Sequence, residues 1–238
     1  MLGPAAPREV EMNRITSTVV IAGAMLLAND IAWTDDDIEW VTTSRGRYEI
    51  AIGAHSWPGI TELQPARGGD FDDVGFNVSM AGHWPLHRFD HSELLVGVDL
   101  GLFLNDSNVR FVTEEIYSRA GYLTPSAKWM FGQNHRYSID AGAGYYLVDM
   151  VELAGDYPLT VETELWEEGA IGGYIGVTVD IGGGDAARNR GVMFSFKTHF
   201  ADFGTVRDEN PGLPRTLGDD AGDLSGRIYV FQVGYRWR

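Results

Sequence analysis

Arg227-Ile228-Tyr229-Val230-Phe231-Gln232-Val233-Gly234-Tyr235-Arg236-Trp237-Arg238 is the stretch on which the fold turns. Its odd positions, Tyr229, Phe231, Val233, Tyr235 and Trp237, are all large and apolar or aromatic. Its even positions pass from Ile228 and Val230 to Gln232, Gly234, Arg236 and Arg238. Side chains alternate between the faces of a strand, so one face is greasy and the other small or charged. Such a face aggregates in water. On the outside of a closed barrel in a bilayer, lipid solvates it.

The same period of two recurs seven times upstream. Tyr48, Ile50, Ile52 and Ala54 oppose Glu49, Ala51, Gly53 and His55. Val74, Phe76, Val78, Met80 and Trp84 oppose Gly75, Asn77, Ser79, Ala81 and His83. Third, Leu94 to Leu102 alternates with Gly97, Asp99 and Gly101; fourth, Leu123, Ala127, Trp129 and Phe131 alternate with Thr124, Ser126 and Lys128. The fifth sets Tyr137, Ile139, Ala141, Ala143, Tyr145 and Leu147 against Ser138, Asp140, Gly142, Gly144 and Tyr146. The sixth sets Ile171, Ile175, Val177, Val179 and Ile181 against Gly172, Tyr174, Gly176, Thr178 and Asp180. The seventh sets Val192, Phe194, Phe196 and Phe200 against Ser195, Lys197 and His199. An even number of strands closes without an edge, and their lengths suit tilted membrane strands.

The connections carry a second signal. Those after strands two, four and six are short (Pro85–Ser92, Gln133–Arg136, Gly182–Arg190), and the others are much longer. Short turns on the side of the termini and long loops opposite are the asymmetry of outer-membrane barrels. The prediction is an all-β chain: an eight-stranded antiparallel up-and-down transmembrane β-barrel with short periplasmic turns and long extracellular loops. Tyr48, Trp84, Phe131, Tyr137, Tyr235 and Trp237 gather at the periplasmic ends of the apolar face, as an aromatic girdle. The competing architecture is a soluble lipocalin-like barrel with the apolar face turned inward around a ligand. The Gly-, Ala- and Ser-rich opposite face suits a cramped interior better than a wet surface.

Composition agrees. The chain has 238 residues, 30 of them Gly, and no Cys, so it has no disulfide or thiolate metal site. A formal charge of −16 argues against a nucleic-acid partner. The slightly negative mean hydropathy is ordinary for a barrel in which alternate residues meet lipid. Met12-Asn13-Arg14 followed by apolar Ile15–Ala28 reads as a secretory signal, so residues 1–28 are expected to be an extension and signal peptide. Residues 29–46, with Trp33, Trp40 and acidic Asp35, Asp36, Asp37 and Glu39, read as a periplasmic lead-in, and 47–238 as the barrel.

With these strands in place, the chain resembles the small eight-stranded outer-membrane barrels of Gram-negative bacteria, such as outer-membrane proteins A, X and W. The resemblance covers 47–238 and rests on strand count, loop asymmetry and the closing Val233-Gly234-Tyr235-Arg236-Trp237. That ending resembles the assembly signal of the class, although Arg238 follows the aromatic residue. The resemblance implies an outer-membrane location. Its implied partners are outer-membrane lipid, lipopolysaccharide and the barrel-assembly machinery, the last through the C-terminal strand.

The inward face holds Glu49, Asp99, Lys128, Asp140, Asp180, Lys197 and Arg236, read as a lumen charge network. Lys128 and Asp140 flank a turn symmetrically, and Glu49 and Arg236 meet at closure, so each is expected to be a neighbouring pair. A barrel of eight strands is normally filled by its own side chains, which disfavours an open pathway. No cofactor motif is present: Gly182-Gly183-Gly184-Asp185 lacks the Gly-Lys-Ser/Thr ending and the helix of a phosphate loop. His83, His87, His91 and Asp90 would share a helix face, but Pro85 and the turn break that helix, so no metal site is assigned. No catalytic residue is assigned either. His55-Ser56 and His91-Ser92-Glu93 miss the His-x-Ser-Asn spacing of lipid A deacylases, and His199 points inward. The acidic outer loops remain the candidate working parts. One holds Glu152, Asp156, Glu162, Glu164, Glu167 and Glu168; the next holds Asp202, Asp208, Glu209, Asp219, Asp220 and Asp223. They are solvated faces in the first instance, with divalent cations as possible ligands. The expected role is structural, adhesive or recognition-based. A narrow channel and a lipid-A-modifying enzyme are the alternatives.

Overall fold

The computed structural model describes residues 46–64, 71–89, 91–106, 114–132, 135–154, 161–181, 190–207 and 217–237. The signal segment, residues 29–45, Asp90, Asp156, 182–185, Asp208, Glu209 and Arg238 lie outside them. Eight strands run β1 Arg47–Ser56, β2 Val74–Arg88, β3 Ser92–Asp106, β4 Glu114–Phe131, β5 Tyr137–Ala154, β6 Val161–Ile181, β7 Arg190–Val206 and β8 Gly222–Trp237. Each pairs antiparallel with the next, and β8 pairs with β1, so the sheet closes.

The faces settle which way the barrel is turned. Ile52, Phe76, Trp129, Ile139, Ile175, Phe196 and Phe231 all point outward and are exposed, and Ile171 reaches 80%. A soluble barrel with its apolar face inward would bury these positions. Several of the strands contribute to this continuous belt, and only lipid can solvate it. Inward-facing residues are buried instead, including Glu49, Asn77, Asp99, Lys128 and Gln232. At some inward positions the backbone of the adjacent strand leaves room for glycine alone: an ideal Cβ on Gly53 would lie 1.9 Å from the Phe231 carbonyl oxygen, and one on Gly97 1.9 Å from that of Gly82.

Two boundaries differ from the sequence reading. β2 runs on to Arg88 through an irregularity between Pro85 and His87, so the turn into β3 is tighter than Pro85–Ser92. Proline lacks an N–H and is accommodated at such a break. On the outer side the strands overshoot the belt. β6 has 21 residues, whereas a membrane strand needs roughly 9–11. Consequently Glu152 lies in β5, Glu162, Glu164, Glu167 and Glu168 in β6, Asp202 in β7 and Asp223 in β8, rather than in loops. Apolar Leu153, Val161 and Trp166 among these acids already mark such extended strands in the sequence, and a register shift between Met150 and Val151 breaks the period-two alternation there.

Candidate functional site: the filled lumen and the outer collar

The lumen has two layers. The layer within the belt is ionic. Lys128 and Asp140 are register neighbours, as are Glu49 and Arg236. The neighbour relations are as expected, but the ion pairs themselves run elsewhere. Lys128 Nζ instead reaches Glu49 at 2.5 Å, on a strand three places around the ring. Arg236 pairs with Asp180. Lys197 pairs with Asp99 and lies 3.6 Å from Asp140. Long side chains directed at the axis of a narrow barrel meet the facing wall, so the nearest charge is often not on the adjacent strand. Arg47 also enters this layer and pairs with Glu93, which Arg88 holds from the turn side at 2.8 Å.

Neutral groups join the charges. The Gln232 amide donates to Asn77 Oδ1 at 2.6 Å and Ser79 Oγ at 2.9 Å, and Ser195 Oγ donates to Gln232 Oε1 at 3.3 Å. The Tyr122 hydroxyl donates to Asp99 at 3.0 Å. Buried polar groups are tolerated when partnered in this way.

Toward the outer end the interior becomes apolar. Phe103 stacks on Tyr122 at 5.5 Å and Tyr122 on Tyr146 at 5.6 Å. Above them Ile116, Val148, Met150, Leu165, Trp166, Phe203, Val206 and Leu224 form one buried cluster. Residues 57–64 of the first outer connection fold over this cluster as a lid. A 3-10 turn, Pro58–Glu62, places Ile60 and Leu63 inward, and the Trp57 ring lies 5.8 Å from Phe203. The lid is anchored by Trp57 N–H to Asp73 O and by Gln64 N–H to Ala221 O, both at 2.7 Å. The sequence had marked none of this: the lid residues follow no strand or helix period.

The outward wall around the apolar layer is polar. Arg119 makes a forked contact with Asp149, with its Nη2 at 2.6 Å and its Nε at 3.0 Å. Asp202 and Asp223 also face out. This part of the barrel is a water-exposed collar with its own apolar core.

At the periplasmic end the six aromatic residues fall into two contacting groups. Tyr48 lies 6.2 Å from Trp84 and 6.0 Å from Trp237, which lies 6.3 Å from Tyr235. Phe131 lies 6.0 Å from Tyr137.

One chemical pair escaped the sequence reading. His83 Nε2 and Ser126 Oγ are 3.0 Å apart, although 43 positions separate them in sequence. Both are buried in the ionic layer. The other imidazole nitrogen has no hydrogen-bond partner among the described residues, so no carboxylate orients the ring as a triad would. His87, near the end of β2, and His91, in the turn that follows, are exposed, apart from buried His83. His199 is buried, its Nδ1 2.9 Å from the Tyr146 hydroxyl.

No protein-family model and no curated protein sequence matches the chain. Among solved structures it is similar to Neisserial surface protein A, at 13% identity over 81% of this chain and 95% of that one, with a TM-score of 0.39. It is likewise similar to Ail, the attachment invasion locus protein of Yersinia pestis, at 10% identity over 81% and 98% of the chains, TM-score 0.40. The outer membrane protein OprG from Pseudomonas aeruginosa follows at 11% over 82% and 97%, TM-score 0.40. At such identities and scores the likeness bears on neither ligand nor activity. Closure of eight strands around a polar, filled interior, with an apolar exterior, makes the chain an integral barrel of the bacterial outer-membrane type.

Proposed function

We propose that this barrel is a closed scaffold that presents its acidic outer collar for surface recognition or adhesion, without transport or catalysis. The supporting observation is the contrast between its middle and its outer end. The lumen is filled by ion pairs and by an apolar plug under a hydrogen-bonded lid. The strands nevertheless continue well beyond the belt, which a mere membrane plug does not need. Recognition usually sits on such projections from a rigid frame. In this reading the periplasmic aromatic groups anchor the barrel at the lipid boundary, and the lumen charges rigidify it. The C-terminal strand engages the assembly machinery, and lipopolysaccharide surrounds the belt. Acidic groups of the collar take divalent cations only as a secondary property. The Ser126–His83 contact is structural, because the filled lumen encloses it.

The test uses the full chain refolded into lipid vesicles and checked by heat-modifiable mobility. Vesicles are applied to arrays of bacterial and host surface polymers, beside variants combining Glu164→Gln, Glu167→Gln and Glu168→Gln, or Asp202→Asn and Asp223→Asn. Selective retention of the parent chain, lost in a variant that still folds, is the expected result. Equal retention of parent and variants would overturn the recognition reading. Stepwise conductance of the parent chain in planar bilayers would establish the channel instead, and release of fatty acid from lipopolysaccharide would establish the enzyme.

A further inference from the structure

The two rims of the barrel differ in charge. At the outer end Glu164, Glu167, Glu168, Asp202 and Asp223 are exposed. At the periplasmic end each short connection brings an exposed arginine to a strand terminus. Arg88 ends β2, Arg136 stands immediately before β5, and Arg190 opens β7. His87 and His91 add exposed imidazoles beside Arg88. The carboxylates of this end, Glu93 and Asp180, are buried and held by ion pairs. Among the described residues of the periplasmic rim, no exposed one is acidic.

The arginines are interleaved with apolar groups. Arg190 is the register partner of Trp237, and Arg136 adjoins Tyr137, whose ring meets that of Phe131. Beside Arg88, Leu86 and Phe89 are each 55% exposed. This mixture matches the boundary between acyl chains and headgroups, where rings sit at headgroup level and long cationic side chains reach the phosphates. A guanidinium fork also fits two phosphate oxygens at once. A soluble acidic partner would meet the arginines but leave Leu86 and Phe89 in water.

We infer that the periplasmic rim selects anionic phospholipid, with a headgroup phosphate at each of Arg88, Arg136 and Arg190. The barrel then gathers such lipid around itself in the periplasmic leaflet. The inference is independent of the recognition reading, since it concerns the opposite end of the barrel. It runs against the charge of the whole chain: a formal charge of −16 spread evenly would repel an anionic surface.

The probe is phosphatidylglycerol. The full chain is refolded into phosphatidylcholine vesicles that contain either brominated phosphatidylglycerol or brominated phosphatidylcholine, and tryptophan quenching is compared. Trp84 and Trp237, both in contact with Tyr48, stand in the girdle beside this rim and report the neighbouring lipid. The expected result is stronger quenching by phosphatidylglycerol, equivalent to about a fivefold preference at each arginine, the scale of one cation beside an anionic surface. Raising the salt concentration should reduce it. Combining Arg88→Gln, Arg136→Gln and Arg190→Gln should abolish it. The same three positions changed to Lys should keep most of it, and Arg227→Gln, at the outer end, should leave it unchanged. Equal quenching by the two lipids in the parent chain would overturn the inference. So would a preference that survives the triple Gln variant, or one lost equally in the Lys variant, since the arginines would then act through shape rather than charge. An equal loss in Arg227→Gln would place the selectivity at the other rim. A preference seen only after Asp35→Asn, Asp36→Asn, Asp37→Asn and Glu39→Gln would assign the arginines to the chain's own acidic lead-in. Both of these outcomes also overturn it.

Discussion

The ionic layer and the apolar layer fill the same barrel by opposite means, and the reason lies outside the wall. Around Lys128, Lys197 and Asp99 the exterior is lipid. Turning an apolar side chain into the lumen there, rather than outward, gains little, since the lipid is as apolar as the core would be. Cohesion has to come from charge pairs and hydrogen bonds that have no competing water. Around Val148, Trp166 and Phe203 the exterior carries Arg119, Asp149 and Asp202 and faces water. There the ordinary hydrophobic effect operates, and an apolar core forms as in a soluble protein.

The comparison breaks most sharply at Lys197. Lys197→Ala leaves Asp99 and Asp140 buried without their cation, which should cost about 3–5 kcal/mol in a reversible urea titration of the micelle-folded barrel. Lys197→Met combined with Asp99→Asn should recover more than half of that loss. Failure of the double variant to recover would mean that shape rather than charge governs this layer. In the collar, Trp166→Ala should cost about 3 kcal/mol through the cavity it leaves. It should also raise exchange of the neighbouring collar amides while leaving those of the belt unchanged. A global rise would show that the two layers are one cooperative unit.

On the lipid face, Phe231→Arg should cost about 2–4 kcal/mol if that position lies near the midplane. An effect near zero would move the belt. The smallest effect is expected at Arg88, whose side chain is 56% exposed where it touches Glu93. Arg88→Ala should change stability by under about 1 kcal/mol, and Arg47→Ala by clearly more, because Arg47 meets the same carboxylate from a buried position. Equal effects would place both arginines in one dielectric environment.

Much of the barrel was legible before any coordinates. Period-two alternation assigned the inward or outward face of residues such as Ile52, His83, Lys128, Ile175 and Gln232, because a strand has only two faces. Symmetry about the Gln133–Arg136 turn likewise put Lys128 opposite Asp140. Partnership across the lumen was not legible. Which charge lies nearest to Lys128 depends on how β1 and β4 face one another, and no local pattern encodes that. The Ser126–His83 contact and the lid over Trp57 were hidden for the same reason.

What the sequence alone determined, then, is the strand, its two faces and the environment each face demands, all consequences of backbone geometry and transfer free energy along a single element. What only the tertiary structure decided is everything that depends on distance between elements. That comprises the cross-lumen ion pairs, the apolar plug, and how far β4 to β8 continue as a collar. Those features arise from ring closure, which brings remote residues to one axis and leaves strands of unequal length to end where their neighbours do not.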